Sequence, residues 1–207
     1  MIQTNGVMSF FDAPIAPVKD DAGRLLRAAT LLPSRTVDLA EVYRLVTADE
    51  RLRQLTDRVR AAKDVNLAKR QCLPYVTPFG TFSRRRCGYL AAFSGVLPID
   101  VDKLESAEEA EEMKQVLFHD PYLDTRLAFI SPGGRGVKAF IRMPPFRPGQ
   151  DEDPAAFAAR YATDAMNYVR YLYNPHPDDP CRGVDFSGKD VVRACFLCHD
   201  GKALIRD

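Results

Sequence analysis

The stretch LPIDVD, residues 97–102, places two carboxylates two positions apart within an apolar run. Side chains alternate between the two faces of a β-strand, so Asp100 and Asp102 would share one face and Ile99 and Val101 the other. Carboxylates this close stay ionised only where a cation or hydrogen-bond donors offset their repulsion. Such oxygen ligands suit Mg²⁺ or Mn²⁺. The stretch predicts a strand that carries a metal site, and a pair of solvated acids at a strand end is the alternative.

A glycine-rich turn, SPGGRGVK at residues 131–138, follows downstream. Glycines allow the backbone to approach a ligand closely, and successive N–H groups in such a turn can bind an anion. Lys138 would add a cation on the next strand, on the same face as Arg142. The spacing is not that of a Walker A loop. The turn predicts a phosphate-binding site, and a plain glycine hairpin is the alternative.

A third segment, DFSGKDVVR at residues 185–193, supplies another acid and another cation. Asp185 would be a further metal ligand, and Arg193, on a predicted strand, would donate to a phosphate. The alternative interpretation is a surface turn.

The hydrophobic pattern around these segments predicts both helices and strands. Apolar residues at helical spacing predict helices beginning near Val37 and over residues 48–62, 105–118 and 154–173. Short apolar runs predict strands over residues 89–102, 127–131, 136–143 and 191–196. This mixture indicates an α+β fold. Residues 1–65 are predicted to form an N-terminal arm and helices packed on a core of residues 66–207, the whole being one compact domain.

Composition excludes several classes of protein. Hydrophobic residues make up 46% of the chain, too many for a disordered protein, yet no apolar run approaches the ~18 residues of a membrane span. Lys and Arg number 29 against 28 Asp and Glu, so a nucleic-acid site would have to be a local patch. The five cysteines and the absence of a secretory signal in residues 1–20 predict a reducing, cytoplasmic location.

One such basic patch is interleaved with aromatic residues. The cations are Lys69, Arg70, Arg84 and Arg85, and the aromatic residues between them are Tyr75, Phe79 and Phe82. Stacking together with phosphate contacts is typical of proteins that bind single strands. The alternative is that the aromatic residues belong to the core and that the arginines are solvated.

The cysteines near the end of the chain offer a different site. Cys195, Cys198 and His199, with Cys181 upstream, are the ligand types of a zinc site. The second CxxC pair of a strong zinc signature is missing, so ordinary core cysteines are favoured over zinc.

The order of the three segments resembles the archaeo-eukaryotic primase superfamily. The closest likeness is to the primase-like domains at the N-termini of VirE-type and helicase-fused proteins of bacterial mobile elements, and it covers residues 69–200. The stretch LPYVTPFGTF, residues 73–82, resembles the segment before the acid pair in the VirE-type group.

This resemblance implies a primase-like catalytic core with an RRM-like mixed or antiparallel sheet backed by helices. It implies that Asp100, Asp102 and Asp185 are catalytic and hold two Mg²⁺ or Mn²⁺ ions. The implied phosphate-binding residues are Ser131, Gly133, Gly134, Lys138 and Arg193. The implied activity is nucleotidyl transfer from nucleoside triphosphates on single-stranded DNA, in the replication of a mobile element, with a helicase as a further partner and no membrane.

One departure from the superfamily concerns the second motif. That motif usually contains His, and this chain has Lys138. Lysine binds phosphate as a point charge, so nucleotide binding would survive the change. A non-catalytic nucleotide- or nucleic-acid-binding module that serves a helicase is therefore the second hypothesis, and a zinc-stabilised interaction domain is the third.

Overall fold

The structure, a computed structural model, describes residues 4–147, 153–173, 179 and 182–206. Its strands are β1 (Met8–Phe11), β2 (Val18–Lys19), β3 (Leu25–Arg27), β4 (Arg35–Val37), β5 (Tyr75–Thr77), β6 (Gly80–Phe82), β7 (Leu90–Phe93), β8 (Val96–Asp102), β9 (Thr125–Ile130), β10 (Val137–Arg142), β11 (Gly183–Val184), β12 (Cys195–Phe196) and β13 (Leu204–Ile205). Its helices are α1 (Leu39–Ala48), α2 (Glu50–Arg60), α3 (Val65–Cys72), α4 (Ala107–His119) and α5 (Pro154–Tyr173), and a 3₁₀ turn spans Phe186–Lys189.

The central layer is a five-stranded antiparallel sheet in the order β11-β8-β10-β9-β13. Along the chain, β8, α4, β9, β10, α5 and β11 follow one another, which is a β-α-β-β-α-β arrangement of the split type. Because β10 lies between β8 and β9, Lys138 is directly opposite Asp100. The predicted α+β fold with an antiparallel sheet and helices is confirmed.

The two faces of this sheet pack against different partners. On one face, Ile99 and Val101 belong to a core shared with α4 and α5, which includes Leu117 and Phe157. On the other face, Phe129 and Phe140 join a second core with β1, β4, α1 and α2. A four-stranded sheet, ordered β12-β5-β1-β4, contributes to this second layer. Asp100 and Asp102 therefore lie on the face away from α4 and α5.

Aspartates begin the three helices of the second layer. The carboxylates of Asp38, Asp49 and Asp64 accept the N–H groups of Glu41, Leu52 and Leu67 at 2.8, 2.6 and 2.9 Å, respectively. Each bond satisfies an N–H that the first turn of a helix leaves free, typically worth about 1 kcal/mol. These caps fix where α1, α2 and α3 start. At α5, Pro154 occupies the first helical position, which suits a residue without an N–H.

Two secondary-structure predictions for the N-terminal part were wrong in their details. Residues 1–34 contain the fully buried β1 in the middle of a sheet, where the pattern predicted an arm. A strand buried on both faces shows no alternation of polar and apolar residues, so its signal was missed. The helix predicted to begin near Val37 is present as α1, but it begins at Leu39 after the Asp38 cap, because Arg35–Val37 form β4.

The other differences concern strand lengths. The predicted strand over residues 89–102 divides into β7 and β8, which lie in different sheets, because Gly95 turns the chain with φ of 73°. Of the predicted strand over residues 191–196, only Cys195 and Phe196 are extended in a ladder. The helix predicted over residues 154–173 is confirmed with the same bounds. No helix in the described ranges combines the length and the apolar character needed to cross a bilayer.

A buried carboxylate fastens α5 to the end of α4. Asp120 accepts hydrogen bonds from the hydroxyls of Tyr168 and Tyr173 at 3.0 and 2.5 Å, and from the N–H groups of Tyr122 and Leu123. Burial alone would raise the pKa of Asp120, but these donors outweigh it, the Tyr173 hydroxyl most of all, and the net pKa is lowered. The ionised carboxylate is therefore the form that stabilises the fold.

We expect Asp120→Asn to lower the free energy of unfolding by about 1–3 kcal/mol at pH 7, because hydrogen bonds to a charged acceptor are lost. The lowered pKa means that this stabilisation is present above the pKa of an unfolded aspartate and disappears as the pH falls through the folded value. The gap between wild type and variant should therefore narrow towards acid pH in urea titrations. Asp164→Asn, an exposed change on α5, is the control, and equal losses in the two variants would contradict the account.

Candidate metal and nucleotide site

The three predicted acids converge in space. Carboxylate oxygens of Asp100, Asp102 and Asp185 lie within 4.8 Å of one another, and all three residues are half-buried. Asp100 and Asp102 share a face at the end of β8, as the alternation predicts. Asp185 reaches them because β11 pairs with β8 and the Asp185 N–H donates to the Asp100 carbonyl at 2.8 Å. Strand pairing thus joins residues that are 83 to 85 positions apart in the sequence.

Lys138 supplies the internal counter-charge of Asp100. Its Nζ lies 2.5 Å from both carboxylate oxygens of Asp100, and its side chain is 8% exposed. Burial by itself lowers the pKa of Lys138. The attraction of the Asp100 carboxylate, added to that of the other acidic neighbours, outweighs the effect of burial, and the net pKa of Lys138 is raised. Lys138 therefore stays protonated, and its buried positive charge lies beside Asp100.

Asp185 is also compensated by its neighbours. It accepts hydrogen bonds from the Ser187 N–H at 2.9 Å and the Ser187 hydroxyl at 2.6 Å, and it pairs with Arg193 at 2.5 Å. Burial favours a higher pKa for Asp185, but the Ser187 hydrogen bonds and the Arg193 charge outweigh it and lower the pKa. Asp185 is thus held as an oriented carboxylate.

Asp102 is the acid whose ionised form is costly. Burial, and then the neighbouring Asp100 carboxylate, raise the pKa of Asp102 against the smaller effects of Lys138 and Lys69. No ion pair of Asp102 falls within the part of the chain that the structure describes. This carboxylate therefore has the strongest electrostatic demand for an added cation.

Asp100 and Asp102 line an open cavity of about 770 Å³. Its basic lining residues are Lys69, Arg70, Arg85, Lys103, Arg135, Lys138, Arg182 and Arg193. Burial lowers the pKa of Lys69, which the nearby Asp102 partly offsets. The Arg85 guanidinium lies 5.4 Å from the centre of the Tyr75 ring. A volume of this size suits a nucleotide, and the charges suit its phosphates.

Gly136 keeps the glycine turn close to the acids. A Cβ at this position would lie 2.6 Å from the Val101 carbonyl oxygen, 2.9 Å from Ser131 Oγ and 3.2 Å from Asp102 Oδ1. Any larger residue would push β8 and the turn apart. The glycine is needed for the close approach of the turn to Asp102.

The predicted phosphate-binding and nucleic-acid-binding residues are mostly brought together. Those that line the cavity are Ser131, Gly133, Lys138, Arg193, Lys69, Arg70 and Arg85. Gly134 and Arg84 are not part of that lining: the Gly134 N–H donates to the Ser131 carbonyl, and Arg84 is exposed. Their ligand-binding roles stay predictions.

Two expectations about cations are corrected by the structure. Arg193 does not lie on a strand, because its N–H donates to the Asp190 carbonyl in a turn. Arg142, expected to act beside Lys138, pairs with Asp124 at 2.6 Å. Alternation along β10 holds, because Val137, Ala139 and Ile141 all belong to the core with α4 and α5, but Arg142 lies at the opposite end of the strand from the acids, paired with Val96 rather than Asp100.

Sequence reasoning missed three cations of the cavity, Lys103, Arg135 and Arg182. Arg135 lies within the glycine turn, and its Nε donates to the Leu104 carbonyl at 2.8 Å. A cation among three glycines was a usable signal. Arg182 pairs with Glu105 at 3.3 Å, and its placement depends on the β11–β8 pairing, for which the sequence carries no signal.

The cysteines of the proposed zinc site are core residues where they are described. Cys195 and Cys198 are buried, and burial raises the pKa of each thiol to about 12. Zinc binds thiolates, which these environments disfavour. Cys198 Sγ donates to the Ile130 carbonyl at 3.0 Å, whereas Cys181 lies outside the described residues.

Residues 67–204 match the family described as BT4734-like, N-terminal domain. The chain belongs to the BT4734-like N-terminal domain family. The match covers about two thirds of the chain and includes the three acids, the glycine turn and the whole basic patch. No curated protein and no solved structure shows significant similarity to the chain.

The donor set of this family member fits a hard divalent cation in chemical type. Carboxylate oxygens are preferred ligands of Mg²⁺ and Mn²⁺. Lys138 contacts both oxygens of Asp100, so a bound ion would reach Asp102 and Asp185 more readily. Three carboxylates against Lys138 and Arg193 leave the immediate cluster with an excess of negative charge.

We expect opposite effects on stability from removing two of these charges. Asp102→Asn should raise the free energy of unfolding at pH 7, because the raised pKa of Asp102 shows that its ionised form opposes folding. Asp185→Asn should lower it, because the pKa of Asp185 is lowered by partners that favour its ionised form. The Asp102 effect is complete above its raised folded pKa and disappears as the pH falls to the pKa of an unfolded aspartate, whereas the Asp185 effect is complete above the unfolded pKa and disappears only as the pH falls through the lowered folded pKa.

Urea unfolding without divalent ions, at pH 7 and at pH 4.5, measures both variants against wild type. A loss of stability in Asp102→Asn equal to that in Asp185→Asn would contradict the assignment of Asp102 as the uncompensated acid.

Proposed function

We propose that the chain is a divalent-metal-dependent nucleotidyltransferase of the primase or polymerase type that acts on single-stranded DNA. The observation that carries the proposal is the convergence of Asp100, Asp102 and Asp185 within 4.8 Å, where Asp100 and Asp102 line a cavity that is also lined by cations. Anionic ligands for metal and cationic ligands for phosphate are the two requirements of phosphoryl transfer, which depends mainly on positioning and charge stabilisation.

Each charged residue would have a distinct part in that chemistry. Asp102 and Asp185 would hold Mg²⁺ or Mn²⁺, which activates a hydroxyl nucleophile and offsets charge on the transferred phosphoryl group. Arg193, oriented by its 2.5 Å contact with Asp185, would donate to a triphosphate oxygen. Lys138 keeps Asp100 neutralised and so holds β8 and β10 in register at the site.

The fold and the resemblance support the same proposal. The acid pair ends the first strand of a β-α-β-β-α-β unit, on the face away from α4 and α5. In the primase superfamily that the chain resembles, such an acid pair on a primase-like core serves nucleotide polymerisation. Replication of a mobile element, service to a helicase and a cytoplasmic location, which the free thiols of Cys72 and Cys87 suit, belong to the proposal.

One contact favours a second candidate, a nucleotide-binding module without catalysis. The Lys138 ammonium lies 2.5 Å from both oxygens of Asp100, where a two-metal enzyme would need an available carboxylate. A site with this built-in cation can still bind a triphosphate through Arg193, Lys69 and the remaining acids. The two candidates therefore differ in turnover and agree on nucleotide binding.

The test is a primer-synthesis assay with single-stranded DNA, labelled ribo- or deoxyribonucleotides, and Mn²⁺ or Mg²⁺. We expect wild type to form labelled oligomers and Asp102→Asn to lose at least about 100-fold in rate, because a carboxylate that holds the metal is removed. Asp57→Asn, which removes an exposed charge on α2, is the matched control and should retain activity.

Nucleotide binding is measured in parallel by calorimetry with the same proteins. Metal-dependent binding by wild type without any product would select the non-catalytic module. Absence of both product and nucleotide binding in the folded wild-type protein would contradict both candidate functions.

A further inference from the structure

A second cavity, of about 430 Å³, lies next to the first, on the other side of the end of α3 and of β12. Lys69 and Arg70 of α3 line the first cavity, and the next two residues, Gln71 and Cys72, line the second. The same change of side occurs after β12, where Phe196 lines the first cavity and Leu197 the second. The end of α3 and the residues at β12 therefore separate two neighbouring cavities.

Four arginines from three elements surround this second cavity. They are Arg27 of β3, Arg35 of β4, and Arg51 and Arg58 of α2. Its larger apolar lining residues are Phe10, Leu45, Leu52, Leu55, Pro74 and Leu197. The combination of a cationic rim with an apolar floor fits a ligand that carries both a phosphate and a flat apolar surface.

Two of these arginines are held in place by the protein. Arg27 donates from Nη2 to the Ala13 carbonyl at 2.8 Å and from Nη1 to the Gln71 carbonyl at 3.5 Å. The Arg35 guanidinium lies 4.5 Å from the centre of the Phe10 ring and also pairs with Glu41. A guanidinium stacked on an aromatic ring offers a flat surface at the cavity on which a nucleobase could stack.

The other two arginines remain available for a ligand. Arg51 and Arg58 are exposed and lie seven residues apart, so they occupy the same side of α2. The described residues contain no ion-pair partner for either of them. Two carboxylates, Asp12 and Asp49, also line the cavity, but Asp49 already accepts the Leu52 N–H at 2.6 Å as the cap of α2. The four arginines outnumber the acids.

We propose that this cavity binds a nucleotide unit of a single-stranded nucleic acid, with Arg51 and Arg58 on its phosphate and its base over the apolar floor beside Arg35. The choice of a nucleic-acid strand rests on the proposed function, because a strand engaged at Lys69 and Arg70 would need only to cross the end of α3 to reach Arg27 and Arg51. The site extends the strand path beyond the nucleotide cavity, and it needs no metal.

The test is binding of a fluorescent 12-nucleotide single strand by anisotropy, without divalent ions, over a range of NaCl concentrations. Removing two phosphate contacts in Arg51→Ala/Arg58→Ala should raise the Kd at least about tenfold at low salt and reduce the slope of log K against log salt by about 1.4. The matched control, Arg44→Ala/Arg53→Ala, removes two exposed charges from α1 and α2 that do not line the cavity. It should retain the wild-type slope.

Cys72 provides a readout inside the cavity itself. It is a half-buried free thiol that lines the cavity, so a bound strand should slow its alkylation in wild type and in Asp102→Asn but not in the Arg51→Ala/Arg58→Ala variant. Protection by a mononucleotide alone at the same concentration would identify a free nucleotide as the occupant and overturn the strand assignment. Equal displacement of the strand by polyglutamate of similar charge would overturn the nucleotide assignment.

These outcomes are separable from those of the proposed function. If the wild-type protein makes no primer but its salt slope still depends on Arg51 and Arg58, the proposed enzymatic activity is wrong and the proposed strand site stands. If the two double variants have equal salt slopes, or if the strand does not change the alkylation rate of Cys72, the proposed strand site is wrong. The proposed enzymatic activity is then judged from the primer-synthesis assay alone.

Discussion

The ion pair between the buried Lys138 and the half-buried Asp100 is the constraint on which the candidate site depends. The two residues are direct partners across β8 and β10, so the ladder and the charge pair specify the same register. Removing one partner of such a pair typically costs about 3–5 kcal/mol, because the other charge is left buried and alone. The pair also sets the electrostatics of the site, since it neutralises Asp100 and leaves Asp102 as the acid with the strongest demand for a cation.

The position of this pair follows from how the two cores divide the central sheet. Apolar residues of β8 and β10 pack on α4 and α5, so the alternate residues Asp100, Asp102 and Lys138 must lie on the opposite face. The second core covers that face around Phe129 and Phe140 and stops short of the acids. The opening that remains is the candidate nucleotide cavity, and two of its cations, Lys69 and Arg70, come from α3, which the Asp64 cap starts at Val65.

Local patterns were sufficient to predict the acid pair, the glycine turn and α5, because alternation, glycine content and helical periodicity are properties of a short stretch. The same patterns could not reveal β1, whose four residues are all buried and so show no alternation. Nor could they show that Lys138 pairs with Asp100, since that contact depends on which strands are neighbours. The Arg193 turn was missed because VVRACF reads as a strand when the hydrogen bond to Asp190 is unknown. Strand order and long-range ion pairs are the information that this sequence alone did not carry.

The most direct measurement of the central claim is anomalous diffraction from a crystal grown with Mn²⁺ and a non-hydrolysable nucleoside triphosphate analogue. The account predicts an anomalous peak within coordination distance of Asp102 and Asp185, with Lys138 still on Asp100 and the triphosphate towards Arg193. A crystal in which the analogue is bound but no peak lies at these carboxylates would contradict the account. So would a metal seated elsewhere in the protein with the acid cluster unchanged.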